Sequence, residues 1–386
     1  MRLLILTYEF PPLPGGIGRY CATLAKGLIG LGHEVLVFIP RQINGAESAV
    51  PGAEVRCVPR YQGPLRHFID AYRLYQVAQF YDPDYVLATH SFSFTPVGSL
   101  SFVYNLRYAL AIIGSDVQHY AAAKGATGVL RRFLFQRALR QAKALICISR
   151  YSGELLRAVL PIPPNKLCTV YMGLDEQRFI QSDEERVKFL REKLGLEGKT
   201  ILLTVARLVP RKGYDQMLKA LRRIVSTYPD IHYLIVGRGP DEARLRRMVR
   251  NLELVPNVTF AGYVPEEELN NYYDLADIYV MPSRQEGEEV EGFGLAFIEA
   301  SARGVPVIGG RHGGVPEAIL DGQTGYLVDP LNPDEIAKRV VELIEDPSLR
   351  QKLGEQGRKR VLEYFTARRM AQETIAVFMG DRGLRS

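Results

Sequence analysis

Short apolar runs alternate with amphipathic stretches along most of this chain, and this alternation limits its fold more than any other feature. In the first half, runs typical of buried strands are separated by stretches with helical periodicity, such as residues 18–31 and 65–80. The predicted strands are residues 3–7, 35–39, 54–58, 85–89, 110–113 and 144–148. Strand, helix and strand in repetition predict a parallel, doubly wound α/β sheet.

The same alternation begins again near residue 200. The second series of predicted strands is 200–205, 233–236, 258–261, 278–281 and 305–308. With 386 residues the chain exceeds what one hydrophobic core usually serves. We therefore expect a Rossmann-like N-terminal domain over 1–173, a Rossmann-like C-terminal domain over 174–365, and a C-terminal helix in 366–386 that packs back toward the N-terminal domain. Two facing sheets would form an interdomain cleft at the carboxyl ends of their strands, where ligands of such folds bind.

Composition and charge exclude several classes of protein. The chain is 47% hydrophobic and 24% charged, which excludes a disordered, collagen-like or coiled-coil chain, and no stretch of about 18 uncharged apolar residues is present. Its four dispersed cysteines are typical of reduced thiols, so we expect a cytoplasmic protein. Residues 1–170 contain 18 Lys and Arg against 9 Asp and Glu, whereas the remainder contains 31 against 34. The basic half predicts an anionic partner such as a membrane surface or a phosphorylated substrate, unless it is simply a solvated surface.

A glycine-rich loop follows the first predicted strand. Gly15, Gly16 and Gly18 stand immediately before a predicted helix, where backbone N–H groups can point at an anion. The spacing matches neither the dinucleotide fingerprint nor a P-loop. The loop is thus either a phosphate-binding turn or a turn with no ligand.

Two cations follow the first strand of the second series. Arg207 ends the segment TILLTVAR, and Lys212 and Gly213 come just before a helix. Two cations and a helix N-terminus at the carboxyl end of one strand favour a diphosphate site. A pair of solvated surface charges is the alternative.

The segment EGFGLAFIEA carries two carboxylates and a glycine turn. Glu291 precedes Gly292-Phe293-Gly294, and Glu299 follows eight residues after Glu291 on the next predicted helix. Two carboxylates near one helix end need hydroxyl or cationic partners, which sugar and ribose hydroxyls would supply. Gly313 and Gly314, after the next strand, would line the same cleft. The alternative is that Glu299 only caps the helix or faces water.

Two histidines follow predicted strands on the cleft side. His90 comes directly after residues 85–89, and His119 lies in IIGSDVQHY. Each is a candidate for acceptor binding or catalysis, and a structural histidine is the alternative.

These motifs in this order resemble the retaining family 4 glycosyltransferases, which have the GT-B architecture. The resemblance covers nearly the whole chain, through GGIG, VARLVPRKG, VGRGP, NVTFAGYVP, EGFGLAFIEA and GGVPEAI. It implies a metal-independent transfer of a hexose from a nucleotide diphosphate sugar, with retention of the anomeric configuration. It implies no cofactor and no metal ligand.

The resemblance also implies roles for individual residues. Arg207 and Lys212 would bind and neutralise the departing diphosphate, and Glu291 would contact the transferred sugar; these three are the predicted catalytic residues. Glu299 would accept hydrogen bonds from the ribose. The remaining donor contacts would come largely from backbone, at Gly16, Gly237, Val264, Phe293, Gly294 and Leu295.

One segment departs from the family pattern. Many members carry a His-Gly-x-Asp/Glu stretch after a strand of the first domain, and this chain has Ile113 where the histidine would stand. The positioning role of that histidine is either lost or taken by His90 or His119, and Asp116 remains a candidate acceptor contact.

Within the family, EEVEGFG and VPRKG are most similar to the mannosyltransferases that build phosphatidylinositol mannosides from GDP-mannose. This resemblance implies a glycan or glycolipid acceptor and agrees with the basic first half. Residues 131–143, RRFLFQRALRQAK, could lie on the cytoplasmic face of an anionic membrane. An ordinary core-facing helix with a basic outer face is the alternative.

Four other functions compete with this one. An NAD-dependent dehydrogenase is excluded, because the G-x-G-x-x-G motif and the acidic residue after strand two are both missing. Nucleic-acid binding is not expected, since the sequence contains no recognisable module for it. A UDP-sugar-dependent enzyme with a soluble acceptor, and a non-catalytic nucleotide-sugar-binding relative, both remain open.

Overall fold

The structure, a computed structural model, describes residues 1–13, 15–63, 65–113 and 126–380. The chain divides into two compact units. The first contains Met1–Asp175 and the described residues from Phe365 onward, and the second is Glu176–Tyr364. Each unit has its own hydrophobic core.

The first unit contains a seven-stranded parallel sheet. Its strands are β1 (Arg2–Leu6), β2 (Glu34–Ile39), β3 (Glu54–Cys57), β4 (Tyr85–Ala88), β5 (Tyr108–Ile112), β6 (Ala144–Cys147) and β7 (Leu167–Thr169). Their order is β3-β2-β1-β4-β5-β6-β7, so the direction of winding reverses between β1 and β4. Every residue of β4, β5 and β6 is buried, as expected for strands with helices on both faces.

Helices connect these strands. They are α1 (Gly16–Gly30), α2 (Arg66–Tyr81), α3 (Ser91–Leu100), α4 (Ala126–Gln141) and α5 (Arg150–Val159). The rings of Phe94 in α3 and Phe135 in α4 stack at 5.8 Å within the core. The two helices therefore pack side by side on one face of the sheet.

The second unit contains a six-stranded parallel sheet. Its strands are β8 (Thr200–Val205), β9 (Ile231–Val236), β10 (Val258–Gly262), β11 (Ile278–Met281), β12 (Val307–Gly310) and β13 (Gly325–Val328). Their order is β10-β9-β8-β11-β12-β13, and the winding reverses between β8 and β11. Its helices are α6 (Glu184–Lys193), α7 (Tyr214–Ile224), α8 (Glu242–Asn251), α9 (Leu269–Leu275), α10 (Leu295–Ala302), α11 (Val315–Ala318), α12 (Pro333–Glu345) and α13 (Pro347–Tyr364).

The last helix, α14 (Ala367–Met379), packs on the first unit although it follows the second in sequence. Phe378 stacks on Tyr85 of β4 at 4.7 Å, with the two rings 8° from parallel. Leu174 pairs with Thr366 just before the helix begins. Burial of Phe378 and Val377 against the first core holds this segment in place.

The prediction of two doubly wound, Rossmann-like parallel sheets is confirmed. The strands β7 and β13 were not predicted. β7 has three residues, too few to show a period, whereas β13 is as long as the predicted β4 and β6, and its length does not explain the omission. The helix α3 was not predicted either, because its run SFSFTPVGSL is buried on nearly every side and so lacks an amphipathic pattern. Across the described residues, no helix combines the length and the apolar character that crossing a membrane requires.

Candidate active site

The predicted catalytic residues lie beyond the carboxyl ends of β8 and β11 in the second unit. These neighbouring strands mark the point where the strand order reverses. Open α/β sheets bind ligands at such a point, because the loops on its two sides diverge to opposite faces of the sheet. The loop after β8 carries Arg207 and Lys212, and the loop after β11 carries Glu291.

A tight turn fixes the position of Lys212. Pro210–Lys212 form a single 3₁₀ turn, and Gly213 has a left-handed φ of 75° before α7 begins. A Cβ atom at Gly213 would overlap the carbonyl oxygen of Pro282, which follows β11. Glycine therefore satisfies both the backbone conformation and the close approach of the two loops, and this approach brings Lys212 to Glu291.

Lys212, Arg211 and Glu291 form an ion cluster, called here the donor-side cluster. Nζ of Lys212 and Nη1 of Arg211 both donate to Oε2 of Glu291, the arginine at 3.0 Å. Nε of Arg211 lies 3.4 Å from Oε2 of Glu289, an exposed residue of the loop that carries Glu291. Lys212 is only 9% exposed, so its charge is largely removed from bulk water.

The cluster keeps Glu291 ionised. Burial alone would raise the pKa of this carboxyl, but the charges of Lys212 and Arg211 and their hydrogen bonds outweigh it, so the pKa of Glu291 lies below its usual value. Burial lowers the pKa of Lys212, and the charge of Arg211 acts in the same direction while Glu291 opposes both. The site therefore holds one carboxylate between two cations.

Arg207 lies outside this cluster. It is exposed two residues after the end of β8, and its carbonyl oxygen accepts a hydrogen bond from the N–H of Val209 at 2.9 Å. Within the described parts of the chain, its guanidinium makes no ion pair. The structure brings Lys212 and Glu291 together and leaves the side chain of Arg207 at the surface of the same edge.

The glycine turn before α10 is held by close packing. Gly294 has a left-handed φ of 94°, and a Cβ atom there would collide with the ring of Phe297. Phe293 is fully buried, and Leu295 is the first residue of α10. The N–H of Gly314 donates to the carbonyl oxygen of Glu291 at 2.9 Å, so the predicted Gly313-Gly314 turn lies against this one.

Glu299 is buried inside the second unit. It is 3% exposed, and the hydroxyl of Tyr273 donates to its Oε2 at 2.9 Å. Nη2 of Arg178 lies 3.9 Å from its Oε1. Both carboxylate oxygens thus face protein groups. The alternative expectation that Glu299 faces water is therefore wrong.

The two remaining donor-site candidates of this unit follow β9 and β10. Gly237 comes directly after β9 and packs against the carbonyl oxygen of Ala206, just beyond β8. Its N–H donates to the carbonyl oxygen of Gly262 at 2.7 Å. Val264 follows β10 and is buried. Both therefore lie at the same edge of the sheet as the donor-side cluster.

In the first unit, Gly16 and His90 lie at the carboxyl ends of β1 and β4. Gly16 begins α1, and no atom would come within 4 Å of a Cβ atom placed there. His90 is the N-cap of α3: its Nδ1 accepts a hydrogen bond from the N–H of Phe92 at 3.0 Å, and its ring stacks on that of Phe92. The structure thus gives His90 a capping role, and its predicted contact with an acceptor stays a prediction.

The other acceptor-side predictions concern the segment after β5. Ile113 follows that strand directly and is partly exposed. Asp116 and His119 lie outside the described residues.

Sequence analysis missed a polar cluster beside His90. The hydroxyl of Tyr8 donates to Oδ2 of buried Asp70 at 2.6 Å, and the guanidinium of Arg66 lies over the Tyr8 ring at 4.9 Å. Burial raises the pKa of Asp70, and Tyr8 and Arg66 oppose this shift. Tyr8 and Asp70 are 62 residues apart, so no local pattern could have joined them.

Arg211 and Tyr273 were missed in the second unit. The signal for Arg211 was available, since it adjoins Lys212 and the acidic stretch EGEEVE needs cations. Tyr273 carries no such signal, because it meets Glu299 only through the packing of α9 on α10. The described residues contain no group of three or more His, Cys, Asp or Glu side chains arranged to hold a metal ion.

Two family models match the chain, one in each half. The model described as Glycosyltransferase Family 4 matches residues 14–178, and the model described as Glycosyl transferases group 1 matches residues 186–360. Together they span both units and include the glycine loop, the donor-side cluster and Glu299.

Curated relatives match over the whole chain or over half of it. The GDP-mannose-dependent alpha-(1-6)-phosphatidylinositol monomannoside mannosyltransferase of Mycolicibacterium smegmatis is 30% identical over 99% of this chain and 100% of its own. The GDP-mannose-dependent monoacylated alpha-(1-6)-phosphatidylinositol monomannoside mannosyltransferase of Corynebacterium glutamicum is 38% identical over 49% of this chain and 50% of its own.

Solved structures agree on the fold. HepE from Anabaena, in complex with UDP, superposes with a TM-score of 0.82 at 19% identity, covering 98% of this chain and 100% of its own. The two family models, the relative that is similar over its full length and the shared fold all agree. The chain therefore belongs to the family 4 glycosyltransferases, and it is a glycosyltransferase with the two Rossmann-like units of the GT-B fold.

Proposed function

We propose that this enzyme transfers a mannosyl residue from GDP-mannose to a hydroxyl group of a lipid-linked glycan acceptor, with retention and without a metal ion. The named activities of the relatives from Mycolicibacterium smegmatis and Corynebacterium glutamicum support the donor and the acceptor. The observation that carries the chemistry is the donor-side cluster, where Lys212 and Arg211 flank ionised Glu291 at the reversal of strand order.

The reaction breaks the bond between C1 of the sugar and the oxygen of the distal phosphate. The acceptor hydroxyl oxygen forms the new bond to C1 on the same face, and its proton passes to the leaving phosphate, so the products are the glycoside and the nucleoside diphosphate. Lys212 and Arg207 neutralise charge as it develops on the leaving group. Because an ammonium has three N–H donors, Lys212 can hold Glu291 and a phosphate oxygen together.

Backbone groups complete the proposed donor site. The helix that begins at Leu295 exposes N–H groups in its first turn, where a phosphate or sugar oxygen is stabilised. Two cations and this helix N-terminus supply positive potential that a bound magnesium ion would otherwise provide. Metal independence follows from this proposal, and activity in excess EDTA tests it.

The acceptor is assigned to the first unit. Its carboxyl edge combines His90 with the cluster of Tyr8, Arg66 and Asp70. The guanidinium of Arg66 and the phenol hydroxyl of Tyr8 at this edge are suited to a polyhydroxylated, anionic acceptor.

The membrane contact is assigned to the surface of α2, α3 and α4. Phe133 in α4 and Phe102 after α3 are each more than half exposed and lie 6.4 Å apart, with the guanidinium of Arg137 over the Phe102 ring at 3.7 Å. The sequence of α4 contains four arginines and no acidic residue. Exposed apolar side chains among cations favour an anionic lipid surface.

Donor identity is tested by thermal stabilisation with GDP-, UDP- and ADP-sugars, followed by transfer of radiolabelled mannose to phosphatidylinositol mannoside. Ligand at about 100 times its dissociation constant adds about 2.7 kcal/mol to the free energy of unfolding. Stabilisation by GDP-mannose together with labelled lipid is expected. A response to UDP-sugars without one to GDP-mannose contradicts the proposed donor.

A UDP-sugar donor is the second candidate, because HepE was solved with UDP. The same screen separates the two donors.

Membrane association is tested by sedimentation with vesicles of phosphatidylcholine and phosphatidylinositol. Phe133→Ser should reduce binding, whereas Phe189→Ser, at an exposed phenylalanine of the second unit, should not. Equal binding by both variants contradicts the assigned surface.

A further inference from the structure

Arg178 lies at the start of the second unit and reaches two elements that the proposed function assigns to the donor. It belongs to the 3₁₀ turn Glu176–Phe179 and is 8% exposed. Its Nη2 lies 3.9 Å from Oε1 of Glu299 and 2.5 Å from Oε1 of Glu266. Its Nη1 donates to the carbonyl oxygen of Glu266 at 3.3 Å and to Oδ1 of Asn270 at 3.1 Å.

The contact with Glu299 is electrostatic. A carboxylate that is 3% exposed is costly to keep ionised unless cations or hydrogen-bond donors face it. Arg178 supplies a positive charge on the side of Oε1, and the hydroxyl of Tyr273 donates to Oε2. Together they restrict the rotamer of Glu299, the residue assigned to the ribose.

The contacts with Glu266 hold the loop after β10. Glu266 comes two residues after Val264, whose backbone is assigned to the nucleobase. One guanidinium therefore bridges the loop assigned to the base and the carboxylate assigned to the ribose. The backbone of Arg178 is fixed in turn, because Nη1 of Arg303 donates to the carbonyl oxygen of Arg178 at 3.1 Å.

We infer that Arg178 is a positioning residue for the nucleoside half of the donor. It sets the orientation of Glu299 and the position of the loop Val264–Glu266 without touching the reacting atoms. This inference rests on the proposed function. It predicts that loss of Arg178 weakens binding of the nucleoside and leaves binding of the diphosphate to the donor-side cluster intact.

Arg191 provides a matched control within the same unit. Among the described residues, its guanidinium donates only to backbone carbonyl oxygens, those of Leu196, Lys199 and Leu275, at 3.1 to 3.2 Å. Arg191 is partly buried, and none of these three residues is assigned to the donor. Substitution of Arg191 therefore measures the loss of stability when an arginine that binds only backbone carbonyl oxygens is removed, with no direct effect on the proposed donor site.

The experiment measures dissociation constants of GDP, UDP and inorganic pyrophosphate by calorimetry on the full chain, together with Tm. Arg178→Ala and Arg191→Ala should both lower Tm. Arg178→Ala should also weaken the tighter-binding nucleotide roughly tenfold or more, a loss typical of hydrogen bonds to charged groups, and change pyrophosphate binding less than about twofold. Arg191→Ala should leave all three constants unchanged.

Two further variants keep the inference testable if Arg178→Ala does not fold. Arg178→Lys keeps the charge but cannot make the forked contacts with Glu266 and Asn270, so nucleotide affinity should fall while most of the stability returns. Glu299→Gln removes the carboxylate that Arg178 is inferred to orient. The loss of nucleotide affinity in the double variant Arg178→Lys/Glu299→Gln should therefore be smaller than the sum of the losses in the two single variants.

Three results overturn the inference. The first is unchanged nucleotide affinity in both Arg178 variants, and the second is an equal loss of affinity for nucleotide and for pyrophosphate. The third is a double variant with Glu299→Gln whose loss of nucleotide affinity equals the sum of the two single losses. Wild-type protein that binds neither GDP nor UDP overturns the proposed function itself and the inference with it. Wild-type binding combined with unaffected Arg178 variants overturns only the inference.

Discussion

The two sheets place different chemistry at equivalent edges. At the reversal between β8 and β11, the second unit gathers charged side chains, with Lys212 and Arg211 against ionised Glu291. At the reversal between β1 and β4, the first unit exposes a helix N-terminus at Gly16 and uses His90 as a cap. The same topology thus supports an ion cluster at the edge of the second unit, and a helix N-terminus together with the cluster of Tyr8, Arg66 and Asp70 at the edge of the first. Substitutions at the two edges should consequently fail in different ways.

The largest expected effect is on turnover, at Lys212. Lys212→Ala removes a cation from the proposed leaving group, and kcat/KM should fall by about 10²–10³. Lys219→Ala, at an exposed lysine of α7, is the control and should keep full activity. Steady-state kinetics with GDP-mannose measure both. Comparable activity of the two variants removes Lys212 from the mechanism.

The next effect is on stability, at Glu291. Glu291→Gln leaves buried Lys212 and partly buried Arg211 without their shared carboxylate, and the free energy of unfolding should fall by about 3 kcal/mol at neutral pH. Because the folded-state pKa of Glu291 is lowered, its contribution is complete above the usual value of 4.5 and is lost as the pH falls through the folded-state pKa.

Urea denaturation of wild type and Glu291→Gln at several pH values measures this difference. The two curves should converge only in acid, below the lowered folded-state pKa of Glu291. Exposed Glu363→Gln is the control and should follow the wild type throughout. A difference that grows as the pH falls contradicts the ion cluster.

A smaller effect is expected at His90. His90→Ala removes the cap of α3 and should cost about 1 kcal/mol of stability, and His90→Asn should restore most of it because asparagine caps well. If capping is the whole role, His90→Asn also keeps normal turnover per folded molecule. Normal stability with a large loss of turnover would instead establish the predicted acceptor contact.

The smallest effect on stability is expected at Gly16. Because a Cβ atom there meets no neighbour within 4 Å, Gly16→Ala should change the free energy of unfolding by less than about 0.5 kcal/mol. The KM for the donor should nevertheless rise several-fold, if the backbone at Gly16 approaches the distal phosphate. An unchanged KM removes Gly16 from the donor site.

Much of the fold was predictable because hydrophobic periodicity acts locally. Two parallel, doubly wound sheets followed from the alternation of apolar runs, and Lys212, Glu291 and the glycine turn at Gly294 followed from short motifs. The strand β7 was missed because three residues are too few to show a period, and β13 was missed although it is as long as β4 and β6. Their pairing with β6 and β12 stabilises them instead.

By itself, the sequence determined the two α/β units and the residue types available at each loop, because glycine conformations and burial of apolar runs are encoded within a few neighbours. Only the tertiary structure decided which of those residues meet. Arg178, Tyr273 and Glu299 come from three separate elements, and Tyr8 meets Asp70 across 62 residues. Such partnerships arise from the packing of helices on sheets, which fixes the positions of side chains that no local pattern relates.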